Sequence, residues 1–247
     1  MLTDAHCHLF QPEKQILSAV SIFSYEDLIK IEKSKDIFPC FAIHPQSVSN
    51  NNEQKKLNNS ILQDLEKAAS ERRLAAVGEC GFDLYETQFK ETEIEQERVF
   101  SLHLDIAIKY DLPVVIHLRR AIHKIFEYEK MLKKCRTLIF HSWPGTYEEG
   151  ETFLRRGFNV YFSFGNPVLN GHKKALKCCS LFPADRILTE TDAPYQPRRG
   201  KDVSSCEDLP QIIEAIANLR FKSGSHCSSQ MELENQIEAN FRRIYTF

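Results

Sequence analysis

A chain of 247 residues with 42% hydrophobic and 27% charged side chains can bury a sizeable core, which excludes a disordered segment and a peptide-sized module. Its 32 basic and 34 acidic side chains leave a formal charge of −2, which excludes a globally basic nucleic-acid binder but not a local basic patch. No apolar run approaches the roughly 18 residues of a membrane span, and the opening MLTDAHCH has neither the basic nor the apolar stretch of a signal peptide, so a cytoplasmic protein without a membrane partner is expected.

Short apolar runs recur along the chain. They predict strands at Leu2–His6, Ser18–Ile22, Ile37–Ile43, Leu74–Gly78, Pro113–His117, Thr137–His141, Phe158–Phe162 and Ile187–Thr191. Polar or helical segments separate them: Ile61, Leu65 and Ala68 follow helical spacing, as do Val99, His103 and Ile106. Ser47–Ser60 (SVSNNNEQKKLNNS) reads as a mobile polar loop, and Pro197–Cys206 and Ser223–Ser229 as further loops. Two apolar stripes, Leu209-Ile212-Ile213-Ile216-Leu219 and Met231-Leu233-Ile237-Phe241-Ile244, predict closing helices. Strand–helix alternation with runs such as Pro113-Val114-Val115-Ile116 argues for parallel strands buried on both faces. The expected fold is α/β, a (β/α)8 TIM barrel over residues 1–247, one domain, with the C-terminal helices completing the outer ring. The eight cysteines include no C-x-x-C pair and are expected to be free thiols serving as small core residues.

Five predicted strands run into residues able to bind a metal. His6 and His8 are two apart on an extended chain, so both imidazoles face one way and Cys7 the other. Glu79 follows the fourth strand, His117 ends the fifth, His141 ends the sixth, and Asp192 follows the eighth. Any one of these is weak evidence, because a rim histidine is more often hydrogen-bonded than ligating. Parallel strands, however, end on a common rim, where four histidines and two carboxylates make a ligand set for two divalent ions, whether zinc, magnesium, manganese or cobalt. Two dications against Glu79 and Asp192 leave about +2, a site for an anion such as a phosphate ester. Ions about 3.5–4 Å apart acidify a shared water and hold both attacking and leaving oxygens. Glu79 is expected to bridge them, His6 and His8 to hold the first, and His117 and His141 the second. Asp192 is expected to bind one ion and exchange the proton, which makes Glu79 and Asp192 the catalytic carboxylates.

These segments carry a family resemblance. DAHCHL resembles a D-x-H-x-H-L opening, FAIHPQ a G-I-H-P-H segment and VGECGFDLY the sequence V-G-E-I-G-L-D-Y-Y of the TatD-family metal-dependent hydrolases. VVIHLRRA, FHSWPGT and TETDAPYQPRRGK are similar to the later metal motifs, and EANFRRIY to the closing N-x-x-R-L-F. The resemblance spans the chain. It implies a divalent-metal hydrolase on a TIM barrel, usually a deoxyribonuclease and often a 3′-to-5′ exonuclease. His6, His8, Glu79, His117, His141 and Asp192 fall on the family's metal positions, and His44 on its I-H-P position. Arg119 matches the arginine after the fifth-strand histidine. Ala42 stands where glycine is usual, Gln46 replaces the second histidine of H-P-H, the Asn-x-Pro after R-G-K is missing, and the stretch between His8 and Phe38 is short. None of these departures touches a ligand; they bear on substrate preference.

His44, Arg119, Arg199 and Lys201 are therefore candidate substrate contacts, with solvated loop charge as the ordinary alternative for the three cations. Trp143 and Tyr195 suit either base stacking or barrel packing. Asp83 suits either orienting a ligand histidine or capping a helix. His103, His123, His172 and His226 take ordinary surface or core roles. The expected partner is DNA or another phosphate ester, acted on by a monomer with no obligate protein partner. The rival readings are an ester or amide hydrolase, such as an aminoacyl-tRNA deacylase, and a metal-bearing binding protein without turnover.

Overall fold

In a computed structural model, residues 1–9, 15–31, 34–224 and 229–246 are described. Eight strands form one sheet in chain order: β1 (Leu2–Cys7), β2 (Ile16–Ile22), β3 (Ile37–Phe41), β4 (Ala76–Asp83), β5 (Val114–Arg119), β6 (Leu138–Phe140), β7 (Val160–Phe164) and β8 (Ile187–Thr189). The alternation with helices is that of the predicted (β/α)8 barrel. The pairs β1–β2, β3–β4, β4–β5, β5–β6 and β7–β8 are parallel. Among the described residues, no helix is long and apolar enough to cross a membrane.

The chain divides into two compact units, Ser21–Phe140 and Met1–Val20 with His141–Phe247. In the first, the stripes predicted near Ile61 and Val99 become α2 (Asn52–Ser70) and α4 (Glu93–Lys109). They bury Leu65, Ala68, Val99, Phe100 and Leu104, and Phe82 on β4 meets the edge of Phe100 at 4.9 Å. The expected loop at Ser47–Ser60 is corrected. Pro45–Ser47 is a 3-10 turn, and from Asn52 the segment is the polar opening of α2. Asn51 caps that helix, its side chain accepting a 2.7 Å bond from the Gln54 N–H. Consecutive polar residues here start a helix because the cap supplies what their side chains do not. Asn51→Ala is expected to lower unfolding stability by about 1 kcal/mol, read from urea denaturation.

The fourth strand also runs further than predicted, through Gly78 and Gly81 to Asp83. Gly81 has φ +139°, and a Cβ there would lie 2.2 Å from the His117 carbonyl oxygen on β5. Glycine thus permits a close approach of β4 to β5 instead of ending the strand. This approach sets Glu79 and Asp83 on the strand beside His117.

In the second unit, the two predicted C-terminal helices are α10 (Leu209–Lys222) and α11 (Gln230–Tyr245). The Asn240 side chain on α11 donates to the carbonyls of Ala184 and Ile187, both at 2.9 Å, and the Tyr245 hydroxyl donates to the Ala5 carbonyl at 3.0 Å. The ANFRRIY ending is therefore a clasp on β1 and the start of β8. Phe162, Phe182 and Tyr147 stack in this unit's core, and Trp143 is buried edge-on against Phe162, which decides its role as packing. Seven cysteines are free thiols, six of them buried, as expected; Cys227 lies outside the described residues, as do His226 and part of the Ser223–Ser229 loop.

Candidate metal and catalytic site

In the unit that begins at Met1, β1 delivers His6 and His8, and the turn after β8 delivers Asp192. Asp4 holds these two segments in register. Its Oδ1 accepts the Thr191 N–H at 2.9 Å and its Oδ2 the Thr191 hydroxyl at 2.6 Å, while Thr191 Oγ1 accepts the Ala193 N–H at 3.1 Å. The Asp192 N–H reaches the His6 carbonyl at 3.0 Å, and the His8 N–H the Ala193 carbonyl at 2.7 Å. Inside this latch, Asp192 sits at φ +53° with its carboxylate turned to the histidines. Burial pushes the Asp4 carboxyl up to about 7, with the Thr191 bonds opposing that rise and the nearby Glu190 adding to it.

The Asp192 Oδ1 lies 3.3 Å from His8 Nε2 and 3.5 Å from His6 Nε2. Ligands at the usual 2.0–2.1 Å from a tetrahedral ion stand about 3.3 Å apart, so both spacings to Asp192 are those of ligands around one divalent ion, and the three donor atoms lie within 4.8 Å of one another. Burial alone would raise the Asp192 carboxyl. Its bonds from His6 and His8, with the field of His141, outweigh burial and hold it well below the usual carboxylate range. The His141 ring lies 4.2 Å from that of His6, and its Nδ1 faces the buried Glu190 Oε1 at 3.5 Å. A carboxylate on Nδ1 leaves Nε2 as the nitrogen for a metal. Tyr195 is exposed, with its ring edge-on to His8 at 5.1 Å.

In the unit Ser21–Phe140, Glu79 on β4 and His117 on β5 are neighbours, and His44 joins them from the turn after β3. Glu79 Oε1 is 2.6 Å from His117 Nδ1 and 3.2 Å from His44 Nε2. One donor atom from each of the three lies within 4.8 Å of the others. The 2.6 Å contact is a hydrogen bond, shorter than the spacing of two ligands on one ion, so an ion held by both atoms would spread them. His44 has a fixed tautomer. Its Nδ1 accepts the Gln46 N–H at 3.1 Å, so Nε2 carries the proton and donates to Glu79. His44 is thus a hydrogen-bond donor in this set.

Asp83 is fully buried beside the set. Its Oδ2 lies 3.4 Å from His117 Nε2 and accepts the Gln46 amide at 2.7 Å, and its Oδ1 accepts the Tyr85 N–H at 2.9 Å. Burial would raise its carboxyl, but these bonds from His117, Gln46 and Tyr85 hold it at about 2. Of the two roles open to Asp83, orienting His117 is the one its contacts fit. Gln46, a departure from the resembled motif, supplies the amide that holds Asp83 in place.

Arg119 ends β5 with its guanidinium 4.0 Å from Asp83. Lys201 is turned to the buried Asp208 at 3.3 Å, and the Arg199 side chain is exposed on the same loop. Sequence pattern does not single out Asp4, Thr191 or Glu190; the two acids' nearness to a histidine motif and to Asp192 is the one linear signal they offer. Thr191→Val keeps the volume while leaving Asp4 and the Ala193 N–H each short of a partner. It is expected to cost about 1–3 kcal/mol in denaturant titrations and to weaken metal uptake at the His6–His8–Asp192 set about tenfold, with Thr191→Ser restoring both.

Comparison with known proteins identifies the family. The family model described as TatD related DNase matches residues 3–246. A protein of Erwinia tasmaniensis named 3′-5′ ssDNA/RNA exonuclease TatD is 31% identical over 193 residues, covering 73% of this chain and 71% of its own length. The uncharacterized metal-dependent hydrolase YcfH of Escherichia coli K12 is 26% identical over 268 aligned positions, covering 99% of this chain and 95% of its own. The crystal structure of YjjV, a TatD homologue from the same organism, superposes with a TM-score of 0.84 at 21% identity, covering 100% of this chain and 98% of its own, and so shares the fold.

Proposed function

Because the chain belongs to the TatD-related DNase family of metal-dependent hydrolases, we propose that it removes nucleotides from the 3′ end of single-stranded DNA by metal-assisted phosphodiester hydrolysis. One divalent ion would be held by His6, His8 and Asp192 with His141 beside them, and a second by Glu79 and His117. The observation that carries the reading is the first donor set, whose 3.3 and 3.5 Å spacings are those of ligands around one ion.

When bound, such ions supply an acidified water and neutralise the charge that builds on the phosphoryl group. The chain's own groups do the rest. Asp192 is ionised at neutral pH and accepts the proton that the attacking water gives up. As the new P–O bond forms, the bond from phosphorus to the 3′ oxygen of the preceding nucleotide breaks. The same proton passes from Asp192 to that oxygen, so a 5′-mononucleotide and a free 3′-hydroxyl leave. His44 Nε2–H donates to a non-bridging phosphoryl oxygen, and Glu79 holds that ring in place until substrate arrives. Asp83 keeps the His117 ring from turning.

The test is a substrate panel on freshly purified protein with elemental analysis: a 5′-labelled single-stranded oligonucleotide, bis-p-nitrophenyl phosphate and aminoacyl-tRNA. A ladder shortening from the 3′ end, with about two divalent ions per chain, is the expected result. Deacylation of the tRNA with both phosphodiesters untouched overturns it in favour of carbonyl chemistry, and less than one ion per chain overturns it in favour of a binding protein.

A further inference from the structure

Two arginines and a tyrosine at the ends of β4 and β5 lie outside the ligand sets. Tyr85 stands two residues past Asp83, and Arg119 and Arg120 follow one another at the end of β5. Both guanidiniums lie over the same Tyr85 ring, Arg119 at 3.9 Å and Arg120 at 4.6 Å from its centroid. All three side chains are exposed. Bringing two like charges onto one ring is unfavourable unless something of opposite sign meets them. Within the protein little does. Among the described residues Arg120 makes no ion pair, and the carboxylate nearest Arg119 is Asp83 at 4.0 Å, already engaged by His117, Gln46 and the Tyr85 N–H.

The group is tied to the backbone around it. The Tyr85 N–H is held by Asp83, the Leu84 N–H donates to the Arg119 carbonyl at 2.8 Å, and both guanidiniums lie against the one ring. An exposed pair of guanidiniums gathered on one ring is suited to phosphates, which guanidiniums grip through parallel N–H donors. Through Asp83 the pair also stands one side chain away from His117. We propose that Tyr85, Arg119 and Arg120 form a binding site for backbone phosphates of single-stranded nucleic acid next to the linkage being cleaved. The inference rests on the phosphodiesterase reading and adds to it a reason for a polynucleotide substrate: a lone phosphodiester would have nothing to place on this pair.

The test measures binding apart from turnover. The full-length protein is titrated into a fluorescent oligothymidylate whose last 3′ linkages are phosphorothioates, over a range of salt concentrations. Arg119→Gln/Arg120→Gln is expected to weaken binding at least tenfold and to flatten the log–log salt dependence by about 1.4, close to 0.7 for each single-strand phosphate that is no longer neutralised. Tyr85→Leu is expected to weaken binding while keeping the salt slope, and Tyr85→Phe to retain wild-type affinity. In turnover, the ratio of kcat/KM on the oligonucleotide to that on bis-p-nitrophenyl phosphate should fall at least tenfold in Arg120→Gln. An unchanged salt slope in the double variant, equal losses on both substrates, or no binding of the oligonucleotide by wild-type protein overturns the site. Loss of strand binding in the double variant, in a protein that cleaves neither phosphodiester, would sink the hydrolase reading and leave the phosphate site standing.

Discussion

Asp192→Asn is expected to lower metal-dependent hydrolysis of single-stranded DNA by about a thousandfold or more, with the folded state retained. Asparagine keeps the size of the side chain and an acceptor oxygen, but loses the charge that draws an ion between His6 and His8 and the ability to take a proton. The main-chain bonds that shape the turn, from the Asp192 N–H to the His6 carbonyl and from the His8 N–H to the Ala193 carbonyl, do not involve the altered group. Circular dichroism and the thermal midpoint should therefore stay close to wild type while the metal content falls. His117→Ala, in the other set, should be similarly inactive yet retain the ion of the His6–His8–Asp192 set. Near-wild-type turnover in either variant would remove these residues from the chemistry.

The second large effect concerns pH. His103 is fully buried on α4, and its Nε2 accepts the Ile43 N–H at 3.0 Å, just ahead of His44. Burial lowers its pKa from 6.5 to about 4, a Val99 carbonyl only partly opposing the shift. The unfolded chain thus takes up this proton at a higher pH than the folded one. The stabilising effect of the neutral ring is complete above about pH 6.5 and is lost progressively as pH falls towards 4, by about 3 kcal/mol. Urea denaturation at pH 7 and pH 4.5, for wild type and His103→Gln, should show a steeper acid loss in the wild type. Parallel pH profiles would contradict the assignment. Because a protonated ring can no longer accept the Ile43 N–H, the same acid step loosens the turn that presents His44 to Glu79.

The candidate histidines and acids can be picked out in the sequence because each follows a run whose own composition marks it as a strand. Continuous apolar runs such as Val114-Val115-Ile116 needed only their own composition to be read as strands. Two features resisted. Gly78 and Gly81 look like a strand's end, and only the β5 backbone pressing against them explains why the strand continues. The opening of α2 looks like a loop, since its first turns carry almost no apolar side chain and its start is set by one asparagine. Side-chain partnerships across the fold were not legible at all. Asp4 with Thr191, Gln46 with Asp83, and Tyr85 with Arg119 and Arg120 are each far apart in sequence and joined by neither period nor spacing.

The clasp of α11 also bears on how the molecule is made. Asn240 and Tyr245 fasten the beginning of β8 and the middle of β1, and β1 carries His6 and His8. During synthesis, the pairings of β3 with β4, β4 with β5 and β5 with β6 can all form once Phe140 has been added, while translation continues. The first strand can pair with β2 at once, but its fastenings to Thr191 and Tyr245 wait for residues 187 and 240 positions later, long loops to close and slow ones. A ribosome that stalls before Asn240 would release a product in which Asp4 still holds Thr191, but the Ile187 and Ala5 carbonyls have lost the side chains that fasten them. Premature termination ahead of Asn240 should therefore weaken metal loading at the His6–His8–Asp192 set before it disturbs the His44–Glu79–His117 set.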